Sequence, residues 1–498
     1  MAIKRYIADA DNTITNAFRM NLDTRATASN QGLADSLEVF NIYAQASSAS
    51  VERARVLIKF PVEQISTDRD NSLIPVSGSV KFYLNMYNVK HSETLPKNFN
   101  VQVYALSQSW DEGRGVDMDE YQDLGQSNWV SASTSTAWVD NVTNITGGLA
   151  FANPVYTASF VNGDEDMSIE VTPLVEQWIA GTKTNYGFLV KLSSSLPVLD
   201  PNSDGGTTSL YTKRFSARGS EFFFKRPAIE ARWDSRNKDD RANFYYSSSL
   251  APAEDNLNTL FLYNVVRGRL QNIPAIGTGT IFVSLYSGSW DNTEPTGSKL
   301  VLYNGDLNLT GGYVSTGVYT CSVGITASAH NAPMPGPLTH LFDVWHDNSG
   351  VQYFTGSIRP IVEVAEEINP STQYVLNITN LKPVYYPYET GRFRLFTRQK
   401  NWNPTIYTKT TAEVVGTIVE SSSYAIVRTV DNLEAIPYGT GSDFHTFMSY
   451  DKSGSYFDLD MSLLEPGYQY KIKFAFYNGP AAGWQEQPYS FKFRVEEV

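Results

Sequence analysis

Short runs of strictly alternating apolar and polar residues dominate this chain, and they leave it few folds. Ala54, Val56, Ile58 and Phe60 point one way while Arg53, Arg55 and Lys59 point the other. Val80, Phe82, Leu84 and Met86 repeat the pattern, as do Phe99, Val101, Val103 and Ala105. Near the C-terminus come Tyr468, Tyr470, Ile472, Phe474 and Phe476, then Tyr489, Phe491, Phe493 and Val495. Period-two patterning in short runs, broken by Gly, Asn, Asp and Ser, predicts antiparallel sheets with one face on a core. Many such strands with few intervening helices predict an all-β protein of stacked sandwiches or jelly rolls. The 30 tyrosines and 26 phenylalanines, against only 18% charged residues, favour the same outcome.

One convincing helix interrupts the pattern. Ser168 to Val171 reads as a strand, Thr172 as a helix cap and Pro173 as the first turn, with Leu174, Val175, Trp178 and Ile179 as one apolar stripe. Gly181 stops the helix in a left-handed cap, and alternation returns from Tyr186 to Leu192.

The clearest boundary is the charged octet Asp234 to Arg241, which follows the apolar residues Ile229, Ala231 and Trp233; a second falls at Glu366 to Pro370. They divide the chain into 1–234, 235–368 and 369–498, with the last two segments open to forming one unit. The expected architecture is a jelly-roll-like sandwich followed by one or two immunoglobulin-like β-sandwiches.

The formal net charge of −13 argues against a nucleic-acid backbone or an anionic membrane as the main partner. No apolar run approaches the roughly 20 residues of a membrane span, and none follows the basic N-terminal residues as a secretory signal requires. Cys321 is the only cysteine, and its alternating strand puts it on the apolar face, so it reads as a small core residue rather than a nucleophile. A large, disulfide-free, signal-free β protein is expected to fold in a reducing cytosol. The sequons at Asn141, Asn144, Asn308 and Asn377 then read as chance matches.

The first segment resembles the disaggregatase-related domain family, often called DNRLRE. The residues that carry the likeness run in order: Ile7 to Ala10, Asn30 to Val39, Arg53 to Phe60, Ser79 to Leu84, Val101 to Tyr104 and Trp110 to Gly113. Trp129 and Trp138 follow, then Val171 to Trp178, Asn185 to Val190, Phe215 to Ser220 and Arg226 to Ile229. The resemblance implies a jelly-roll sandwich of the kind found in microbial surface and polysaccharide-handling proteins, some of them carbohydrate-binding modules. Family members are usually exported, and a protein without an export signal reaches the outside by lysis if it belongs to a phage. In its aromatic, β-rich, cysteine-poor and acidic character the chain also resembles virion proteins of large tailed bacteriophages. The expected function is a non-enzymatic neck, tail, baseplate, fibre or head-decoration component. It would be assembled in the host cytoplasm, with other virion proteins and copies of itself as partners and no nucleic acid or membrane insertion. The alternatives are a module or adhesin contacting host-surface glycan, and a polysaccharide-degrading enzyme.

Candidate chemistry is sparse. The loop from Trp110 to Asp123 holds six carboxylates, and oxygen-rich loops bind Ca²⁺ in flexible geometry. Asp9, Asp11 and Asn12 form a second oxygen cluster, so Asp9, Asp11, Asp111 and Glu112 are Ca²⁺ candidates, although the spacing fits no EF-hand and a solvated loop is the plainer reading. No cofactor is otherwise expected. His340 and His346 lie about 20 Å apart along a strand, too far to share a metal; His91, His330 and His445 lack a partner pattern. No nucleophile triad, Walker A loop or dinucleotide fingerprint is present. Tyr83 and Tyr87 are expected on the outward face of their strand, and Tyr385, Tyr386 and Tyr388 crowd a proline-rich turn. Aromatics so placed suit subunit contacts, packing on a neighbouring sheet, or stacking on sugar.

Overall fold

The computed structural model describes residues 2–47, 50–91, 97–139, 151–193, 211–288, 299–302, 306–326, 340–361, 372–403, 416–439 and 443–497, with residues 295, 338, 405, 406 and 410. Asn141, Asn144, His330 and the boundary expected at 366–370 lie outside the described residues. The protein is all-β. It divides into two compact units, one of Ala2–Asp234 with Gly441–His445, the other of Ser235–Thr440 with Thr446–Val498.

The N-terminal unit contains β1 (Ile3–Ile7), β2 (Ala10–Thr15), β3 (Ser36–Tyr43), β4 (Val51–Lys59), α1 (Val62–Asp70), β5 (Lys81–Met86) and β6 (Phe99–Leu106). It continues through β7 (Ser131–Ser133), β8 (Thr136–Ala137), β9 (Phe151–Phe160), β10 (Met167–Glu170), α2 (Thr172–Ile179), β11 (Phe188–Leu192), β12 (Tyr211–Ser216) and β13 (Ala228–Arg232). One sheet runs β1-β13-β5-β10; the other runs β12-β3-β4-β11-β6-β9, with β2 also paired to β4. Their facing side chains make the main core, including Val56, Ile58, Phe82, Leu84, Val103 and Phe188.

The second face of the larger sheet is covered too. Arg53 and Arg55 are buried, which corrects the expectation of a charged outer row. The physical reason is a second core of Ile14, Leu57, Leu106, Trp129, Trp138 and Leu189, in which the Arg55 guanidinium lies 4.9 Å from the Trp129 ring. The Trp138 indole N–H donates to Asn128 O at 2.9 Å, so that ring is anchored as well as buried.

Helix α2 spans Thr172–Ile179 and buries Leu174, Val175 and Trp178. The Trp178 ring meets Phe188 edge-on at 4.9 Å. Val171, not Thr172, is the N-cap; the Thr172 hydroxyl instead accepts the Phe82 amide at 2.9 Å, tying the helix to β5. Gly181 has φ +69, as a left-handed stop requires. The expectation of one convincing helix was incomplete, because α1 has nine residues. It buries only Val62, Ile65 and Asp68, too few apolar residues to show a stripe in the sequence, and it is held by tertiary contacts. Arg69 clamps Glu176 of α2 through two bonds of 2.7 Å, and the Asp68 carboxylate accepts the Tyr6 hydroxyl at 2.8 Å.

The C-terminal unit begins with β14 (Asn258–Tyr263), the hairpin β15 (Val265–Val266) and β16 (Arg269–Leu270), β17 (Ile281–Gly288), β18 (Leu309–Ser315), β19 (Val318–Val323), β20 (His340–His346) and β21 (Gln352–Ile358). The sheet order is β14-β19-β18-β17-β20-β21. Cys321 is buried in its core beside Leu260, Ile281 and Trp345. The unit continues with β22 (Tyr374–Ile378), β23 (Val384–Tyr385), β24 (Thr390–Gln399), β25 (Ser422–Arg428), β26 (Glu434–Ile436) and β27 (Ser449–Asp451). It ends with β28 (Gly454–Asp460), β29 (Gln469–Tyr477), β30 (Trp484–Glu486) and β31 (Phe491–Val495). Sheets β22-β24-β28-β27 and β23-β31-β29-β25-β26 face each other across stacked rings. Phe393 lies 5.1 Å from Phe457, which lies 3.9 Å from Tyr424.

The charged octet does not read as an open linker once folded. Asp239 and Arg241 are buried, and Arg241 bonds Asp239 at 2.7 Å and Asp343 at 2.6 Å. The Asp239 amide donates to Tyr450 O at 3.1 Å and the Tyr450 hydroxyl to Asp240 at 2.7 Å, joining the two halves of this unit.

Candidate functional site

Among the described residues, the N-terminal unit holds a cleft of about 940 Å³. Alternation on β3 builds its floor. Leu37 and Val39 enter the main core, so Glu38, Phe40 and Ile42 project to the opposite face and line the cleft. Register adds the next strand: Arg214 of β12 lies across from Glu38 and Thr212 across from Phe40. The Arg214 guanidinium donates to the Glu38 carboxylate, a cross-strand ion pair set by pairing alone. On the other side β4 places Glu52, whose carboxylate accepts the Phe18 amide at 2.8 Å.

Two loops border the cleft. Phe18, Arg19, Met20 and Leu22 come from the turn after β2, and Met118 and Asp119 from the acidic loop. The loops meet where Arg19 Nη2 donates to Gln122 at 2.5 Å and the Met20 amide to Asp119 at 3.3 Å. Met20 is 87% exposed and Tyr121 71% exposed; Leu22, Val116 and Leu124 are exposed as well. Of these, Met20 and Leu22 line the cleft itself and form an apolar edge to a floor of Phe40, Ile42 and Met118.

The acidic loop is stitched down rather than solvated along its length. Asn30 is buried; its side-chain oxygen accepts the Gly115 amide at 2.9 Å and its side-chain nitrogen donates to Asp123 O at 2.9 Å. Contact is so close that a Cβ on Gly113 would meet the Asn30 amide at 1.9 Å. The Asp117 carboxylate accepts the amides of Asp119, Glu120 and Tyr121, which holds its pKa below the usual carboxylate range, the Tyr121 bond contributing most. Asp123 accepts the Arg114 amide at 2.7 Å.

Of the four Ca²⁺ candidates, the structure brings Asp11 and Glu112 together and leaves Asp9 and Asp111 exposed. Their common partner is Arg218, which no local spacing announces. Its guanidinium donates to Glu112 at 2.8 and 2.5 Å, its backbone amide donates to Asp11 at 2.6 Å, and the Asp11 amide donates to Glu112 at 2.8 Å. Burial pushes the Asp11 carboxyl up to about 7, against the pull of the Arg218 amide. Among the described residues no three His, Cys, Asp or Glu side chains form a metal-holding group. The one sequence signal for Arg218 was its place in the stretch from Phe215 to Ser220.

The five candidate tyrosines separate. Tyr83 and Tyr87 are half-buried rather than free on an outer face. The Tyr83 hydroxyl donates to Asp443 of the same unit at 3.0 Å, and Arg232 stacks 4.3 Å over its ring. Tyr385 is corrected outright: it is 3% exposed and packs 5.4 Å from both Phe393 and Phe493, because β23 pairs with β31 and turns that ring into the sandwich. Tyr386 is half-buried and Tyr388 is 72% exposed. His346 bonds Ser284 at 2.7 Å within its own strand pair, and His445 is buried, its pKa pushed down to about 4 chiefly by desolvation.

No protein-family model matches the chain, and no curated protein matches it. Among solved structures it is similar to fibronectin(III)-like modules of Clostridium thermocellum CbhA, at 10% identity and TM-score 0.14 over 53% of this chain and 93% of that one. Tandem Ig repeats of Dlar match at 10% identity and TM-score 0.14, over 44% of this chain and 90% of that one. A DUF4785 family protein from Legionella pneumophila matches at 9% identity and TM-score 0.13, over 93% of this chain and 90% of that one. Scores this low carry no argument about function.

Proposed function

We propose that this chain is a non-enzymatic structural component of a bacteriophage particle that works through contacts with copies of itself and with other particle proteins. The observation that carries the reading is the apolar edge of the N-terminal cleft, where Met20 and Leu22 stand exposed in the same lining as Phe40, Ile42 and Met118. A contiguous patch of exposed apolar side chains suits a protein interface better than a reaction centre. The carboxylates near it are already committed: Glu38 to Arg214, Glu52 to a backbone amide, Glu112 to Arg218. A glycosidase instead needs two carboxyls poised across a cleft for proton transfer and attack. The aromatic, acidic, cysteine-poor character of the chain supports placing that interface in a particle.

The second reading is contact with host-surface glycan. It draws on the polar residues among the cleft lining, Arg19, Glu38, Asp119 and Arg214, and on the resemblance of this unit to disaggregatase-related domains. Mass spectrometry and cryo-electron microscopy of purified phage particles from the source sample test the leading reading. The chain is expected in stoichiometric amount with its cleft occluded. Its absence from particles, with glycan bound in the cleft, would transfer the proposal to the second reading.

A further inference from the structure

The proline-rich turn of the C-terminal unit carries a different kind of surface. The Glu389 amide donates to Tyr386 O at 2.9 Å and closes a four-residue turn with Pro387 at its second position, where a fixed φ suits the bend. That turn aligns the Tyr386 and Tyr388 rings, 5.7 Å apart and within 3° of parallel. Tyr386 supports one side of the stack, and Tyr388 keeps most of its surface open. Tyr385 points the other way into the core, and its hydroxyl oxygen accepts the Lys382 amide at 3.0 Å, which fixes the strand entering the turn. The pair is therefore held in place before anything binds.

The residues flanking this turn border a cavity of about 280 Å³, lined among others by Asn380, Lys382, Tyr385, Glu389, Thr390 and Arg392. Two of these are spent on the fold. Asn380 bridges the backbone of Arg392 and Arg394, and Arg392 holds Asp458 through bonds of 2.7 and 2.9 Å. Lys382 and Glu389 are held more loosely, the Lys382 ammonium lying 5.6 Å from the centre of the Tyr385 ring. They stand 4.0 Å apart, the lysine side chain 64% exposed, too loose for a direct charge-assisted bond. A strong donor and a strong acceptor thus sit side by side, with Glu389 directly following the exposed Tyr388 in the turn.

The geometry points to a binding site for a neutral pyranose glycan. A sugar ring with equatorial hydroxyls turns its axial C–H bonds to a flat face, which suits Tyr388. Its neighbouring hydroxyls both donate and accept, which matches Glu389 and Lys382 together. A polyproline segment also stacks on tyrosine but offers carbonyl acceptors and no N–H, leaving Glu389 unmatched. A polyanionic glycan meets a chain with a net charge of −13. The inference goes beyond the reading above, since it concerns another surface and holds whether or not the N-terminal cleft is a protein interface.

Saturation-transfer NMR and calorimetry on the full chain with cellotetraose test it. Binding is expected, and Tyr388→Ala is expected to weaken it at least about fivefold, in keeping with the loss of one aromatic contact. Lys382→Ala and Glu389→Gln should each weaken it several-fold, with melting temperatures little changed because the pair makes no close charge-assisted bond. No saturation transfer from the protein to about 5 mM cellotetraose would overturn the proposal, since useful recognition needs at least millimolar affinity. So would a Tyr388→Ala protein that binds as the parent does. Binding of decaproline or tetragalacturonate in place of cellotetraose, lost in Tyr388→Ala, would replace the neutral glycan with that ligand.

Discussion

Asn30→Ala is the substitution that most sharply tests how the N-terminal cleft is held open. Asn30 is buried and spends both ends of its amide on the acidic loop, accepting from Gly115 at 2.9 Å and donating to Asp123 O at 2.9 Å. Truncation removes both hydrogen bonds to the loop, along with a long bond of 3.5 Å from the Gly32 amide, and leaves one N–H and one C=O of the loop without partners. Each orphaned group costs about 1–3 kcal/mol where water cannot reach it. Gly115 is buried, so its amide bears the larger share, whereas the exposed end of the loop near Asp123 recovers part of its loss through water. The expected cost is about 2–4 kcal/mol while the loop stays docked, and local opening sets a lower ceiling if the loop lifts. Hydrogen exchange separates the outcomes. Amides of residues 113–124 should exchange on the order of 10- to 100-fold faster in Asn30→Ala, with the core strands β4 and β11 changed far less. Asn30→Asp should lose the donor to Asp123 O while keeping the acceptor for Gly115, and fall between parent and alanine. Unchanged exchange in the loop, with urea unfolding within about 0.5 kcal/mol of the parent, would refute the claim that Asn30 pins it.

Three further outcomes are expected. Trp178→Ala should destabilise the N-terminal unit by about 3–5 kcal/mol by emptying the space beside Phe188, read from urea denaturation. Arg241→Met should cost the C-terminal unit about 3–5 kcal/mol, because Asp239 and Asp343 would be left buried without their cation; thermal unfolding followed by near-ultraviolet dichroism reports it. Asp11 has a folded pKa near 7 against an ordinary 3.8, so the folded state binds its proton more tightly. Its contribution is fully present below pH 3.8 and is lost as pH rises through 7. Urea unfolding from pH 5 to 8 should therefore show a smaller decline in stability for Asp11→Asn than for the parent.

The alternating rows were legible because a half-buried sheet leaves a period of two: Phe82, Leu84, Val101 and Val103 lie in the main core as the pattern requires. Arg53 and Arg55 misled because alternation reports chemical type and cannot reveal a second layer brought from residues 129–138. Helix α1 escaped notice for the same reason in reverse, since its anchors are Arg69–Glu176 and Tyr6–Asp68, partners remote in sequence. Tyr385 and Tyr388 stand three residues apart in the same turn, yet strand pairing buries one and exposes the other. The polar constellations were the least legible. Arg218 reaches Glu112 across 106 positions and Arg241 reaches Asp343 across 102, and no local pattern encodes such meetings. The cleft depends on the register that sets Arg214 against Glu38, which only the paired strands disclose.

Sedimentation velocity on the full chain, alone and with Met20→Lys and Leu22→Lys together, tests the proposed function most directly. Both side chains are exposed, so the variant should fold as the parent does while placing two charges on the apolar edge. The parent is expected to form a concentration-dependent oligomer, and the variant to sediment as a monomer with an unchanged melting temperature. A parent that stays monomeric at high concentration, or a variant that assembles as the parent does, would contradict the claim that this edge is where the protein meets its own copies.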